Sequence, residues 1–461
     1  MILHMAIYSL EAWYFDDALC RETLQEHFKV ASLEGIGLSD YECGMIASGA
    51  LLKYLEETQK NSLSHMSRLT RYATGNYMVL DSATRRNLEL VETLREKQKR
   101  GSLLWVLDKT KTAMGARTLR KYVEQPLIDK ESNYEAAARL KQAVAELKDN
   151  AICREEIREY LNPVYDLERL VGKITYQSAN PRDLIAFQSS LSMLPSVKCI
   201  LKDMESDLLK EIYEELDPLE ELCDLVGRAI QEEPPLAMKE GGIIKDGYNE
   251  EVDRLRKAKS EGKNWLADLE TREREKTGIK NLRIRYNKVF GYYLEVTNSF
   301  KDLVPDYYTR KQTLANAERY IIPELKELED TILGAEDKLC ALEYELYCEV
   351  RNTIAAELTR IQRTAKAVAK LDVIASLALV AERNNYVRPK INEKGVIDIR
   401  DGRHPVVEKM IPNDMFIAND TYLDDKKQRI SIITGPNMAG KSTYMRQAAL
   451  IVLMAQLGSF V

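Results

Sequence analysis

Hydrophobic side chains recur at spacings of three and four residues along most of the chain, and this periodicity predicts amphipathic helices. Within residues 40–59 the apolar positions Cys43, Ala47, Leu51 and Tyr54 follow it. Similar patterns predict further helices over 82–94, 113–123, 131–148, 151–160 and 181–194. Ser82 stands at the start of the first of these segments and is the expected N-cap.

Two longer helices are predicted on either side of a short segment with strand character. The heavily charged residues 250–278 form the first. No proline lies between Pro323 and Pro389, which predicts a second helix of about 55 residues, on the order of 80 Å long. Its heptad-like seam is Leu325, Leu328, Ile332, Ala335, Leu339, Leu342, Leu346 and Val350. Between the two helices, residues 282–297 alternate as in strands, with Gly291 at a turn or bulge.

The two ends of the chain depart from the helical pattern. Residues 1–77 combine short apolar stretches and turn signals with one helix, which is typical of a small α/β piece. After about residue 385, the segments "GVIDIRDG", "HPVVE" and "RISIITG" predict short strands with turns between them. The predicted fold class is therefore mainly α with α/β ends.

Composition indicates a globular protein of about two to four domains. The chain has 461 residues, of which 45% are hydrophobic and 30% charged, and a net charge of −6. Its seven cysteines and four histidines are scattered without a C-x-x-C pair, which argues against a zinc site and a disulfide framework. No apolar run reaches the roughly 18 residues that span a bilayer. We expect a reduced, cytoplasmic protein that does not contact membranes.

One motif points to nucleotide chemistry. The segment "GPNMAGKS" fits G-x-x-x-x-G-K-[ST] at every fixed position, follows the apolar run Ile430, Ile432, Ile433 and precedes an apolar helix. Such a loop turns backbone N–H groups and a helix N-terminus toward phosphate oxygens. The predicted ligands are ATP and Mg²⁺, with Lys441 on the β- and γ-phosphates and the Ser442 hydroxyl on the metal.

The full candidate set for this site is the loop and two further positions. The expected ATP-binding residues are Gly435, Pro436, Asn437, Met438, Ala439, Gly440, Lys441, Ser442, Thr443 and Phe416. Phe416 is a candidate for stacking on the base, and an ordinary core phenylalanine is an equally good interpretation. A P-loop ATPase also needs an acidic residue at the end of a second strand. That strand does not follow here, so we expect this chain to be a truncated ATPase that lacks ATP turnover, and we assign it no catalytic residue.

A second candidate site is basic. Residues 276–320 carry nine lysines and arginines and four carboxylates, a net charge of +5 within an acidic chain. Such a patch is the footprint of a contact with the backbone of nucleic acid, although charge runs are more often solvated faces. The candidate DNA-binding residues are Lys280, Arg283, Arg285, Lys288, Arg310 and Lys311.

Several segments resemble those of one protein family, both in their amino-acid sequence and in their order along the chain. "TGPNMAGKSTYMRQAALIVLMAQLGSFV" is similar to the nucleotide-binding motif of the MutS family of DNA mismatch-repair ATPases. "LDSATRRNLEL", "YNEEVDRLR", "NAERYIIPELKELE" and "GRHPVVE" also resemble MutS segments. The resemblance covers essentially the whole chain.

The resemblance implies an architecture of five segments. Residues 1–77 are similar to the C-terminal part of the connector domain and 251–312 to the DNA-gripping clamp. The ranges 78–250 and 313–384 resemble the two halves of the core and lever, and 385–461 the start of the ATPase domain. The implied function is ATP-dependent recognition of mismatched duplex DNA by a homodimeric clamp that signals to downstream mismatch-repair proteins.

Two departures from the family pattern leave alternatives open. No phenylalanine here is followed two residues later by glutamate, which is the family's mismatch-sensing motif. The second acidic motif of the ATPase and the dimerisation helices are also missing. We therefore expect weak duplex binding without mismatch preference. The alternatives are a MutS-like paralogue that clamps junction DNA and a non-catalytic coiled-coil scaffold with a vestigial P-loop.

Overall fold

The structure is a computed structural model in which helices predominate and the sheets are small and antiparallel. It describes residues 9–28, 41–59, 78–126, 132–235, 241–287, 291–392, 394–411 and 416–461, together with residues 33, 63, 66 and 69. The mainly α prediction is therefore confirmed.

Most helices with predicted bounds lie close to those bounds, and the described residues contain further helices for which no bounds were predicted. They are α1 (Asp17–Phe28), α2 (Glu42–Thr58), α3 (Ser82–Asn87), α4 (Leu103–Leu107), α5 (Ala113–Glu124), α6 (Ser132–Asp149), α7 (Ala151–Leu161), α8 (Leu167–Thr175), α9 (Pro181–Leu191), α10 (Leu194–Leu201), α11 (Asp207–Glu215), α12 (Glu220–Ala229), α13 (Glu250–Thr277), α14 (Pro323–Ala356), α15 (Leu358–Arg383), α16 (Val407–Met410) and α17 (Lys441–Leu457). The described residues also include the short 3-10 helices Ala12–Phe15 and Asn298–Leu303.

Local signals explain why α13 begins and ends where it does. The Asn249 side chain accepts hydrogen bonds from the backbone N–H groups of Glu251 and Val252, so it caps the helix. Carboxylates in the first turn complement the positive end of the helix dipole. Gly278 ends the helix in the left-handed conformation, with φ of 71°. The predicted helix over 250–278 is confirmed.

The predicted single helix of about 55 residues is wrong. It is divided into α14 and α15 at Glu357, which leaves helical geometry with φ −92° and ψ 19°. Just beyond the break, the Arg360 guanidinium bridges the carboxylates of Glu357, Asp217 and Glu221. A periodic pattern of apolar residues continues through such a break, which is why the sequence did not reveal it.

Among the described residues, six strands form two sheets. The first has the order β1-β2-β4-β3 and is antiparallel throughout. Its strands are β1 (Arg283–Asn287), β2 (Gly291–Thr297), β3 (Thr309–Thr313) and β4 (Ala317–Ile321). The second pairs β5 (Val396–Gly402) with β6 (Asn419–Asp424). The predicted strand character of 282–297 and 395–402 is confirmed, and Gly291 begins β2 with φ of 75°.

Three other local predictions need correction. The helix predicted over 82–94 ends at Asn87, since Glu89 takes a positive φ, and its cap is Asp81 rather than Ser82. The segment 404–408 enters the short helix α16 instead of a strand. Residues 429–435 form no strand, and Ile430 and Ile432 are 84% and 87% exposed. No strand among the described residues pairs with them, and an unpaired strand is not stable alone.

The chain divides into two compact units. The first comprises 1–178, 189–223 and 355–461, and the second comprises 179–188 and 224–354. In the first, α15 is buried along most of its length and packs against α4, α5, α6, α7, α8 and α11. In the second, α13, α14 and one face of the four-stranded sheet enclose a core that includes Leu269, Leu294, Val296, Tyr320 and Leu325.

One helical stretch of the described residues, Pro181–Leu201, is long and apolar enough to cross a membrane by length and composition. It is divided into α9 and α10, and its large apolar side chains Leu184, Phe187, Leu191, Leu194 and Val197 are buried. Core helices of soluble proteins pass the same test, so this stretch is weak evidence for a membrane span.

Candidate functional site

The candidate phosphate loop contains three residues with a positive φ. Gly435, Met438 and Gly440 all take positive φ values of 148°, 66° and 83°. Met438 is a non-glycine residue in the left-handed region, and its side chain is fully exposed. Such strained residues cost free energy and are concentrated at binding sites. The loop leads directly into α17, which begins at Lys441.

The N-terminus of α17 is open to an anion. Its N-cap, Gly440, offers no side-chain acceptor, and the first turn contains no acidic residue. The free N–H groups and the helix dipole therefore give this end a positive potential. The Lys441 ammonium folds over the loop and donates to the carbonyl oxygens of Gly435 and Pro436, the second at 2.8 Å. Those weak acceptors are ones that a phosphate oxygen could replace.

The β5–β6 pair holds α17 in position. The Tyr444 hydroxyl accepts a hydrogen bond from Thr421 at 3.0 Å and donates to the carbonyl of Asp420 at 3.1 Å, both on β6. Gln447 is fully buried beside Gly402 of β5. A Cβ added to Gly402 would clash with the side-chain amide of Gln447. Gly402 thus allows a close approach between strand and helix.

The remaining candidates of this site fit in part. Ser442 is exposed in the first turn of α17, where its hydroxyl could ligate a metal held by phosphates, and Thr443 is half-buried. Phe416 is half-buried just before β6, and its stacking role remains a prediction. An uncapped helix end, left-handed loop residues and a lysine on the loop are groups that can hold an anion.

The four-stranded sheet has one outward face on which arginines converge. In the strand register Arg285 lies opposite Tyr293, Arg283 opposite Glu295, and Glu295 opposite Arg319. Residues directly opposite each other share a face, so these five form one surface, which we call the arginine face. The Arg319 guanidinium lies 4.4 Å from the centre of the Tyr293 ring. Glu295 is the single carboxylate of this set, and its oxygens lie 3.4 Å from Arg285 and 3.9 Å from Arg319.

Arg310 does not belong to this surface. It is paired with Tyr320, whose ring packs in the core under the opposite face of the sheet. Its guanidinium lies 3.4 Å from the buried carboxylate of Glu318, which also binds Lys301 at 2.9 Å. The positive charge of Arg310 is therefore partly neutralised, whereas Arg285 shares the Glu295 carboxylate with Arg319.

Of the other predicted DNA contacts, two are exposed and one lies outside the described residues. Lys280 is exposed in the turn after α13, and Lys311 is exposed at the irregularity between Arg310 and Gln312 on β3. Lys288 lies outside the described residues. Arg319 was counted among the basic residues of the sequence but was not selected as a DNA contact. Its position on the same face as Arg285 depends on strand register, which spacing along the chain does not reveal.

A third group near the loop was not predicted at all. Arg446, on the second turn of α17, lies 3.4 Å from the carboxylate of Glu89. The other Glu89 oxygen accepts the backbone N–H of Leu94 at 2.8 Å. His404 is buried near both charges, and its pKa responds to each of them. Glu89 is more than 300 positions from both His404 and Arg446 in the sequence, so no sequence spacing could indicate this group.

Comparison with protein families gives three matches in chain order. A model described as MutS domain II matches residues 4–67, MutS domain III matches 83–378, and MutS domain V matches 431–461. The domain III match alone covers more than half of the chain.

Curated relatives give the same result. The DNA mismatch repair protein MutS of Lachnoclostridium phytofermentans is 67% identical over 457 residues, which are 99% of this chain and 49% of the relative. Proteins of the same name from Alkaliphilus oremlandii and Acetivibrio thermocellus are 52% and 54% identical over 100% and 99% of this chain and 52% of each relative. The chain spans about half the length of the curated relatives it matches.

Proposed function

Because the chain belongs to the MutS family of DNA mismatch-repair proteins, we propose that it carries the ATP-binding loop and the DNA-gripping sheet of an ATP-dependent mismatch clamp. The observation that carries this proposal is the open end of α17 with Lys441 folded over the loop. A positive, uncapped helix end beside a lysine is suited to a phosphate-bearing anion such as a triphosphate.

In this proposal the loop residues bind ATP and its metal. The backbone of residues 435–440 surrounds the phosphates, and the Lys441 ammonium moves from the loop carbonyls to phosphate oxygens. Ser442 contributes a hydroxyl ligand to Mg²⁺, which neutralises charge on the β- and γ-phosphates. Thr443 adds a second hydroxyl in the same turn, and Phe416 stacks on the base.

The second part of the proposal is that the sheet contacts duplex DNA through the phosphate backbone. Arg283 and Arg285 are exposed on the arginine face, and Lys280 and Lys311 extend the positive surface at its edges. Guanidinium groups bind phosphate in a bidentate manner, which positions a protein on DNA without reading sequence. Mismatched duplex, a homodimeric assembly and downstream repair proteins are the partners we infer for the complete protein.

The domain limits also remain part of the proposal. We infer a connector over 1–77, a core and lever over 78–250 and 313–384, a clamp over 251–312, and the start of a P-loop ATPase domain from 385 to 461. The order of the three family matches supports this arrangement. Cytoplasmic location is inferred from the expected work on DNA alone.

The test is the binding of ATP with Mg²⁺ by the chain and by Lys441→Ala, measured by isothermal titration calorimetry. Loss of a charge-assisted contact to phosphate costs about 1.5–3 kcal/mol, so we expect binding to weaken about 10- to 100-fold. Lys426→Ala, in the exposed turn before the loop, is the matched control and should bind as the parent does. Equal affinities of the parent and Lys441→Ala would refute the nucleotide site.

A further inference from the structure

A cavity of about 190 Å³ lies in the first unit, away from the phosphate loop. Its walls come from α4 and the residues after it, from the C-terminal end of α15, and from the end of α16. The lining residues are Trp105, Val106, Lys109, Val380, Arg383, Asn384 and Lys409. At about 30 Å³ per water, the space would hold roughly six waters, and so a phosphate group with part of its hydration shell.

Three of the seven lining residues are cations and none is a carboxylate. In the part of the chain that the structure describes, Lys109, Arg383 and Lys409 form no ion pair with a carboxylate. The Lys109 ammonium donates to the Trp105 carbonyl at 3.1 Å and lies 5.8 Å from the centre of the Trp105 ring. Burial lowers the pKa of Lys109, the charge of Asp108 raises it, and the charges of Lys99, Arg383 and Lys409 lower it. The cations therefore repel one another across the cavity.

The carboxylates adjacent in sequence to these cations have other partners. Asp108 binds Lys99 and Thr110, Glu382 binds Arg154 at 2.5 Å, and Glu408 binds Arg403 at 3.0 Å. None of these acids lines the cavity. Asp108 acts on Lys109 through space and raises its pKa, but none of these acids forms an ion pair with Lys109, Arg383 or Lys409.

We propose that this cavity is a binding site for a small phosphate-bearing anion, held by Lys109, Arg383 and Lys409. Lysine and arginine around a recess are the groups that recognise phosphate in proteins. A concave site of this size suits a small ligand, because an extended duplex backbone contacts open surface rather than a recess. This inference does not rest on the proposed nucleotide site, from which it differs in every residue.

An alternative explanation is that the cations only complement helix ends. Arg383 and Lys409 occupy the last turns of α15 and α16, and Lys109 follows α4. Cations at such positions are favourable to the helix dipole. That role predicts no bound anion, so the two explanations differ in a direct binding measurement.

The experiment titrates inorganic phosphate and then pyrophosphate into the Lys441→Ala chain by calorimetry, so that the phosphate loop is disabled. We expect saturable binding, weakened at least about tenfold by adding Lys109→Gln or Arg383→Gln, since each removes a charged contact. Lys366→Gln, an exposed lysine of α15 outside the cavity, is the matched control and should change nothing.

Folding of the variants is checked in phosphate-free buffer. Removing one of three mutually repelling charges should leave the midpoint of thermal unfolding unchanged or raised. Lys409→Gln changes an exposed side chain and provides a third variant if either of the others is unstable. Absence of saturable binding, or binding that none of the three variants weakens, overturns the proposal. A second outcome overturns the proposal as well. If a short DNA duplex displaces phosphate from the chain that carries Lys109 but not from the Lys109→Gln variant, the cations belong to a DNA contact.

Discussion

His404 shows how a single side chain is committed to one charge state by its surroundings. It is buried, and its Nδ1 accepts the backbone N–H groups of Val406 and Val407 at 3.3 and 3.2 Å, so it starts α16. A protonated imidazole could not accept either bond. Burial, followed by the charge of Arg446, lowers the pKa of His404 from 6.5 to about 4. The imidazole is therefore neutral in the folded protein near neutral pH.

The first prediction concerns stability at low pH. Between pH 6.5 and about 4 the unfolded chain binds a proton at His404 and the folded chain does not, so stability falls as the pH drops through this window. The loss approaches about 3 kcal/mol at the low end. His404→Asn keeps an acceptor for the backbone N–H groups but does not titrate. Urea unfolding of both proteins across this range should show a shallower pH dependence in the variant, and parallel curves would contradict it.

Among the elements, α5 and α15 are joined by buried polar side chains on α15. The Asp372 carboxylate accepts the backbone N–H groups of Lys111 and Thr112 at 2.9 and 2.7 Å, and the Thr112 hydroxyl at 2.7 Å. One turn further on, Ser376 accepts the N–H of Lys109 and donates to the carbonyl of Leu107. Burial raises the pKa of Asp372 against the effect of its donors. These bonds give hydrogen-bond partners to backbone N–H and carbonyl groups between α4 and α5. Without them, those polar groups would be buried without partners.

The second prediction compares two helical glycines. A Cβ at Gly115 of α5 would meet the Asp372 carboxylate, whereas nothing lies within 4 Å of one at Gly172 of α8. Gly172→Ala should raise the free energy of unfolding by about 0.5–1 kcal/mol through helix propensity. Gly115→Ala should lower the free energy of unfolding by about 1–3 kcal/mol, because α5 and α15 must move apart to admit the methyl group. Urea unfolding measures both, and a stabilised Gly115→Ala would disprove the tight approach.

The four-stranded sheet separates its basic residues onto two faces, and this separation gives the third prediction. The double variant Arg283→Gln and Arg285→Gln should weaken duplex binding. The slope of log affinity against log salt concentration should decrease by the amount that corresponds to about two phosphate contacts. Arg310→Gln should have a smaller effect, since Arg310 is bound to Glu318 on the opposite face. Fluorescence anisotropy with a short duplex at several salt concentrations distinguishes them. Equal losses for the two changes would show that the faces do not act separately.

On the scale of the whole molecule, Glu89 connects residues that belong to different family matches. Glu89 lies within the MutS domain III match and Arg446 within the domain V match. The Glu89 backbone takes a φ of 50°, and its carboxylate holds both Leu94 and Arg446. A helix that presents the candidate phosphate loop is thereby tied to the helical core of the first unit.

The fourth prediction is that this pair is energetically coupled. In a double-mutant cycle with Glu89→Gln and Arg446→Gln we expect about 0.5–1 kcal/mol of coupling in the free energy of unfolding, because both side chains are partly exposed. The pair Arg120 and Glu124, exposed on the single helix α5, is the control and should couple by less. A coupling no larger than that of the control would leave the contact without a structural role.

The sequence alone determined the features that are written in contiguous residues. Apolar spacing located most helices, the charged segment 250–278 was identified as α13, and the loop motif selected Lys441 and Ser442 as candidate ligands. Each depends on interactions within a few residues along the chain, so one segment carries the whole signal.

Only the tertiary structure decided features that depend on partners distant in sequence. Strand register placed Arg283 and Arg285 on one face and Arg310 on the other. No strand among the described residues pairs with 429–435, so the predicted strand did not form. Three separate helix ends brought Lys109, Arg383 and Lys409 to one cavity. Pairing, burial and charge repulsion depend on distances that folding creates, and the order of residues along a chain does not contain those distances.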